Sequence, residues 1–173
     1  MFVGVVHALA LLLLVAAAAK LGDPTSVSVA LRQAGLPGGP QVVRLLALVE
    51  VAVAGAVLLV GGLIPAAALG LLHLAFAGFI VQLRRAAGAK ASCGCFGGAA
   101  APADLLHVVV NLVAGGLVAV ALVDPVPSLP SVLADQPVLG LPYIAAVVLG
   151  AWFTGLCLTS LPALLAAQRQ LTR

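Results

Sequence analysis

Apolar residues fill five long stretches of the chain, and most polar residues lie in the segments between them. A helix needs about 20 apolar residues, at about 1.5 Å each, to cross about 30 Å of hydrocarbon. The pattern therefore predicts an all-α integral membrane protein, a compact bundle of four to five transmembrane helices forming one membrane domain over residues 1–173. The expected spans are approximately 2–19, 42–61, 64–83, 103–123 and 139–167.

The segments between these spans differ in character. Gly61 and Gly62 leave room only for a tight turn, so the second and third spans are expected to form an antiparallel hairpin. After the first span, an Asp-Pro start and a Gly stop enclose apolar residues at helical spacing, which predicts a short interfacial helix at about 24–34 with Arg32 toward the headgroups. The proline-rich stretch DPVPSLPSVLADQP is expected to be an extended loop.

Composition supports the membrane class and excludes others. Hydrophobic residues make up 64% of the chain and charged residues 8%, with a mean hydropathy of +1.28. The net charge of +3 comes from scattered basic residues that form no patch or stripe, which argues against nucleic-acid binding. The first span has no Lys or Arg before its apolar run, unlike a secretory signal, and is expected to be retained. Recurrent small residues favour close helix packing but indicate no particular oligomer.

The distribution of charge predicts the orientation. With five spans, the first loop, the third loop and the C-terminal tail share one side, and all eight basic residues lie in or beside them. The opposite side carries only Asp124 and Asp135. The positive-inside rule then places the N-terminus outside and the C-terminus inside. The basic residues are Lys20, Arg32, Arg44, Arg84, Arg85, Lys90, Arg169 and Arg173.

Polar or reactive side chains also occur within the spans, where an unpaired charge costs several kcal/mol. Four of them lie roughly 12 to 15 Å from the expected cytoplasmic ends, and His7 lies about 18 Å away. Their convergence predicts a shared interior site, although interhelical hydrogen bonding would explain the same residues. Cys157 is expected to be buried, and His107 is expected to be interfacial. The four residues are Glu50, His73, Asn111 and Cys157.

A loop at about 88–100, expected on the cytoplasmic side, carries two cysteines one residue apart, Cys93 and Cys95, in ASCGCFGGAA. Such a pair can cycle between dithiol and disulfide, or hold a soft metal ion between two thiolates. A disulfide across one residue closes a strained ring, and Gly94 is the residue best able to adopt the required backbone angles. Strain makes such a bond exchangeable, which favours a redox role over a structural one.

The motif CGCFGG, with Phe96 and Gly97, follows a basic helix end and precedes a helix bearing Asn111. With Glu50 in mid-span and Lys20 near Asp23, the chain resembles the MauE family of methylamine utilisation proteins, which are related to DoxX-like membrane proteins. The resemblance implies a redox-associated protein of the bacterial inner membrane. It also implies a thioredoxin-like partner and a role in the maturation of disulfide-containing exported proteins. No residue indicates recognition of an amine.

The leading hypothesis is therefore a membrane thiol–disulfide oxidoreductase. Cys93 and Cys95 would exchange with the partner, Cys157 would be a resolving thiol, and Glu50 or a histidine would assist proton movement. Two alternatives stay open. A quinone-coupled thiol oxidoreductase would hold a quinone in the bundle, although the CxxC pattern of such families is absent. A metal-handling protein would bind Cu(I) or Zn through Cys93 and Cys95, with His73, His7 or Cys157 as further ligands.

Overall fold

The computed structural model describes residues 2–88, 91–95, 103–136, 138–161, 164 and 168. Within these ranges the chain forms seven α-helices and no strand, which confirms the all-α prediction. The helices are α1 (Val3–Gly22), α2 (Thr25–Gln33), α3 (Pro40–Leu59), α4 (Leu63–Ala87), α5 (Leu105–Ala121), α6 (Leu129–Asp135) and α7 (Gly140–Thr159).

Four helices, α1, α3, α4 and α7, are long and apolar enough to cross a membrane. Each has 20 to 25 residues, and their mean hydropathies lie between 1.9 and 2.4. The helix α5 is equally apolar in character but has 17 residues. The protein is therefore a multi-pass membrane protein built from apolar helices.

The helices α1, α3, α4 and α5 pack around one apolar core, and α7 packs against the outside of α1. Close approach of α4 and α5 depends on glycine. A Cβ at Gly70 would lie 3.1 Å from Val118, and one at Gly115 would lie 2.7 Å from Leu74. These two positions are the small-residue contacts that the sequence pattern predicted only in general terms.

Three connections differ from or refine the sequence prediction. Gly61 and Gly62 form the tight α3–α4 turn with φ values of +71° and +92°, which glycine adopts without strain. The helix α4 continues past Arg84 and Arg85 to Ala87 rather than ending at residue 83. The extended-loop prediction for the proline-rich stretch is wrong, because it contains α6. Ser128 caps α6 by accepting from Ser131 N–H, and a proline in the first turn loses no hydrogen bond.

The short helix α2 is part of the bundle and not only a connector. Asp23 accepts a hydrogen bond from the Thr25 N–H at 3.0 Å and so stabilises its first turn. Its apolar face, with Val27 and Ala30, is buried against α3 and α4, while Arg32 is exposed as expected. This packing places α2 beside the segment that carries the two cysteines.

Candidate functional site

Residues 91–95, the described part of the cysteine loop, are packed into protein rather than projecting from it. Cys93 is 2% exposed and belongs to an apolar cluster with residues of α2, α4 and α5. The two ends of the loop are tied together where Ala103 N–H donates to the Ala91 carbonyl at 2.6 Å. Arg84 also donates to the Ala103 carbonyl at 2.5 Å. Both ties leave Cys93 enclosed between three helices.

Gly94 is the residue that allows this packing. Its φ of +64° lies in the left-handed region, and a Cβ there would lie within 2.7 to 2.8 Å of Ser26 on α2. A larger residue would thus face both backbone strain and a clash with α2. The sequence predicted unusual backbone angles at Gly94 for a disulfide; the structure has a positive φ there with both cysteines free, and the close contact with α2 was not predicted.

The two thiols are inequivalent. The Cys95 N–H donates to Cys93 Sγ at 3.4 Å, and Cys95 Sγ lies 3.8 Å from the Cys93 carbonyl. Hydrogen bonding by the Cys95 thiol, aided by the neighbouring His107 imidazole, lowers the pKa of Cys93 to about 5 against the effect of burial. The same thiol pairing, together with burial, raises the pKa of Cys95 well above its usual value. At neutral pH the pair therefore holds one thiolate, on Cys93, and one proton, on Cys95.

A second polar group connects α4 and α5. Asn111 donates from Nδ2 to the His107 carbonyl at 2.8 Å, and its Oδ1 lies 3.0 Å from His73 Nδ1. All three side chains are buried. His73 Nε2 and both ring nitrogens of His107 have no hydrogen-bond partner among the described residues. The His107 imidazole lies beside the Cys93 thiol, and His73 Nε2 is available to bind water.

The third element is a buried ion pair between α1 and α3. Lys20 Nζ lies 2.7 Å from Glu50 Oε2, and the two side chains are 3% and 0% exposed. The ammonium also lies 5.4 Å from the centre of the Phe76 ring, a cation–π distance. The second carboxylate oxygen of Glu50 has no hydrogen-bond partner among the described residues.

The thiol pair, the histidine–asparagine group and the ion pair each contribute at least one side chain to a single cavity of about 40 Å³ inside the bundle. That volume is enough for a few water molecules, and it is far below the several hundred Å³ that ring-sized ligands need. Its remaining wall is aliphatic or aromatic. The polar side chains that line it are Lys20, His73, Cys95, His107 and Asn111.

Two of the residues expected at the shared interior site lie elsewhere. The prediction that Cys157 is buried is wrong: the thiol is exposed on α7, which contacts the bundle through only one face. His7 lies near the other end of α1, where it bonds the Tyr143 hydroxyl at 2.6 Å and the Pro127 carbonyl at 3.0 Å. Phe96 and Gly97 lie outside the described residues.

Two residues of the cavity were undervalued in the sequence. His107 is 1% exposed rather than interfacial, and its spacing of four from Asn111 places both on one helix face. The sequence indicated Lys20 only as a basic residue at the end of the first span and as part of the family resemblance, yet its side chain turns inward to Glu50. No group of three or more His, Cys, Asp or Glu residues suited to a metal ion occurs within the described part of the chain.

The inequivalence of the thiols predicts a specific titration. In a Cys157→Ser background, thiolate absorbance in the ultraviolet should show one group titrating near pH 5. Cys95→Ala should raise the pKa of Cys93 because it removes the main hydrogen-bond donor, whereas Cys95→Ser keeps an O–H donor and should shift it less. Equal titration curves for wild type and Cys95→Ala would contradict this assignment.

Comparison with known proteins agrees with the resemblance seen in the residues. Residues 2–124 match the family model described as Methylamine utilisation protein MauE. That range contains α1 to α5 and the cysteine loop, and Cys157 lies beyond it. No curated protein and no solved structure matches the chain. Because the match covers more than half of the 173 residues, the chain belongs to the MauE family of membrane proteins.

Proposed function

We propose that this protein is a membrane thiol–disulfide oxidoreductase whose Cys93 and Cys95 exchange electrons with a thioredoxin-like partner. The observation that carries the proposal is the inequivalence of the two thiols: the Cys95 N–H donates to Cys93 Sγ at 3.4 Å, and the pKa is lowered to about 5 at Cys93 but raised at Cys95. Thiolate is the attacking species in disulfide exchange. A thiolate beside a second, protonated thiol is the starting arrangement for two successive exchange steps. Because Cys93 is 2% exposed, the loop has to open before a partner disulfide can reach it.

The proposed reaction balances as a two-electron exchange. The Cys93 thiolate attacks the partner's disulfide, forming a mixed disulfide and releasing one partner thiolate. Cys95, after losing its proton, attacks Cys93 Sγ, forms the Cys93–Cys95 disulfide and releases the second partner thiolate. The protein is oxidised, the partner disulfide is reduced to a dithiol, and the reverse sequence oxidises the partner.

The same arrangement supports a location for the exchange. The cysteine loop lies at the bundle end that carries Arg44, Arg84 and Arg85, and cytoplasmic loops of membrane proteins are enriched in basic residues. We therefore propose that the exchange faces the cytoplasm of a bacterial inner membrane. Support for maturation of exported disulfide-containing proteins, as the family resemblance implies, would then require electrons to cross to the other side.

Thiol transfer in vesicles tests the proposed function. Protein reconstituted in lipid vesicles is reduced and then incubated with an oxidised thioredoxin, and the partner's free thiols are measured with time. Cys93→Ser and Cys95→Ser should each abolish the formation of partner dithiol. Cys157→Ser should leave it unchanged, because that thiol is exposed on α7 and does not line the cavity. Transfer by Cys93→Ser at the wild-type rate would refute the proposal.

A further inference from the structure

Burial of the Lys20–Glu50 pair costs the folded protein free energy. Two charges removed from water lose several kcal/mol of hydration each, and attraction offsets this loss only when the remaining lone pairs and protons are also satisfied. Here one oxygen of Glu50 has no hydrogen-bond partner among the described residues. A buried pair with incomplete hydrogen bonding is weak evidence for a purely structural role.

The Lys20 member of the pair lies beside the thiol that has to lose a proton, and Glu50 is held 2.7 Å from the Lys20 ammonium. Lys20 and Cys95 line the same 40 Å³ cavity, and both also line a second apolar cavity on the side of α2. The charges of Lys20 and Glu50 both act on the Cys95 thiol, in opposite directions. Because the surroundings are apolar, these charges are only weakly screened.

We propose that Glu50 is the proton acceptor for Cys95 during disulfide formation and that Lys20 stabilises the thiolate this transfer produces. The proposal rests on the thiol–disulfide function and assigns the residues that enable its second step. Cys95 thiol and Glu50 carboxylate become Cys95 thiolate and Glu50 carboxylic acid. The thiolate attacks Cys93 Sγ and releases the partner thiolate, and Glu50 later loses its proton to water.

The pair keeps the net charge of the site constant while the proton is transferred. Before the transfer, the Lys20 ammonium neutralises the Glu50 carboxylate; after it, the same ammonium neutralises the Cys95 thiolate. The site holds one positive and one negative charge throughout, so no net charge is created in a low-dielectric interior. A carboxylate without the lysine would attract the proton, but it would leave the new thiolate unpaired.

Other titratable groups face Cys95 and have to be considered. They come from each element around the cavity, and the histidines have unpaired nitrogens that compete for the same proton. The variants below separate these acceptors because they leave both histidines intact. The groups are Lys20 on α1, Glu50 on α3, His73 on α4, His107 on α5 and Cys93 in the loop.

The two exchange steps can be followed separately with an aromatic disulfide that releases a coloured thiolate at each step. In reduced protein with Cys157→Ser, attack by Cys93 releases the first equivalent and attack by Cys95 the second, and intact mass detects the mixed disulfide between them. Glu50→Gln should keep the first release and slow the second about 100-fold, the usual contribution of a general base. Asp124→Asn removes an exposed carboxylate at the other end of the bundle and should change neither step.

Two further measurements keep the test decisive even if Glu50→Gln misfolds. Lys20→Met with Glu50→Gln removes both charges, and a normal first release would show that its site is folded while the second release stays slow. In protein that carries only Cys157→Ser, the rate of the second release should be nearly independent of pH around neutrality. A rise of about tenfold per pH unit, as expected for thiolate formed by solvent, would overturn the proposal.

Failure of this proposal is distinguishable from failure of the function. Cys95→Ser should stop after the first release and accumulate the mixed disulfide. If it does so while both Glu50 variants release the second equivalent at the wild-type rate, the relay is wrong and the thiol exchange stands. If Cys95→Ser also releases two equivalents, the exchange itself is refuted.

Discussion

Lys20→Met is expected to lower the free energy of unfolding by about 3–5 kcal/mol, because it leaves the Glu50 carboxylate buried without its partner. Glu50→Gln should have an effect of similar size, since it leaves the Lys20 ammonium unpaired. The double variant should be far closer to wild type, because replacing both charges also removes both desolvation penalties. Equilibrium unfolding in mixed detergent micelles, followed by helix content, measures all three.

Exposed residues provide the control for this comparison. Arg44 lies on the same helix as Glu50 but is exposed, so Arg44→Met should change the unfolding free energy by less than about 1 kcal/mol. Additive effects of Lys20→Met and Glu50→Gln in the double variant would contradict a direct pair. Such a result would mean that each side chain acts through separate contacts.

Hydropathy and length determine the helices of this protein, which explains why the sequence predicted them well. A stretch such as Val3–Gly22 has no stable alternative in lipid, because every backbone N–H and C=O must be satisfied within the segment. The α6 helix was not predicted, because the high proline content of this stretch favoured an extended chain. Ser128 before Leu129 and Pro130 is in fact a helix-start signal.

The site was predicted less completely, because depth along a helix does not determine the direction of a side chain. Cys157 lies on α7, close to the end of that helix, and is exposed rather than turned into the bundle. Lys20 was placed at a span end, yet its long side chain reaches back to Glu50, ten residues into α3. Contacts of this kind depend on the rotation of each helix about its axis, which apolar runs with weak amphipathicity do not specify.

Taken together, the pairings explain why the cysteine loop is enclosed. The Cys93 thiolate depends on a hydrogen bond from Cys95 and on the neighbouring His107, and Cys95 feels the charges of Lys20 and Glu50. Each of these effects is stronger away from water. The docking of residues 91–95 against α2 is therefore a condition for the chemistry, and Gly94 is where that docking is most easily broken.

Gly94→Ala is expected to displace the loop and expose Cys93. The substitution adds a backbone penalty of about 1–2 kcal/mol at a φ of +64°, together with a clash with the Ser26 backbone on α2. A penalty of that size corresponds to about a tenfold rise in the population of opened loop. In a Cys157→Ser background, Cys93 should then react about tenfold faster with a bulky maleimide. The pKa of Cys93 should also rise from about 5, by at most about one unit for a penalty of this size.

Gly88→Ala is the matched control, because Gly88 begins the same loop with a φ of +83° but has open space where a Cβ would be. Both substitutions strain the backbone, and only Gly94→Ala meets α2. We expect Gly88→Ala to leave the thiolate titration and the maleimide rate close to wild type. If both variants behave alike, backbone strain alone controls the loop, and the contact with Ser26 is not what holds the thiol pair in the bundle.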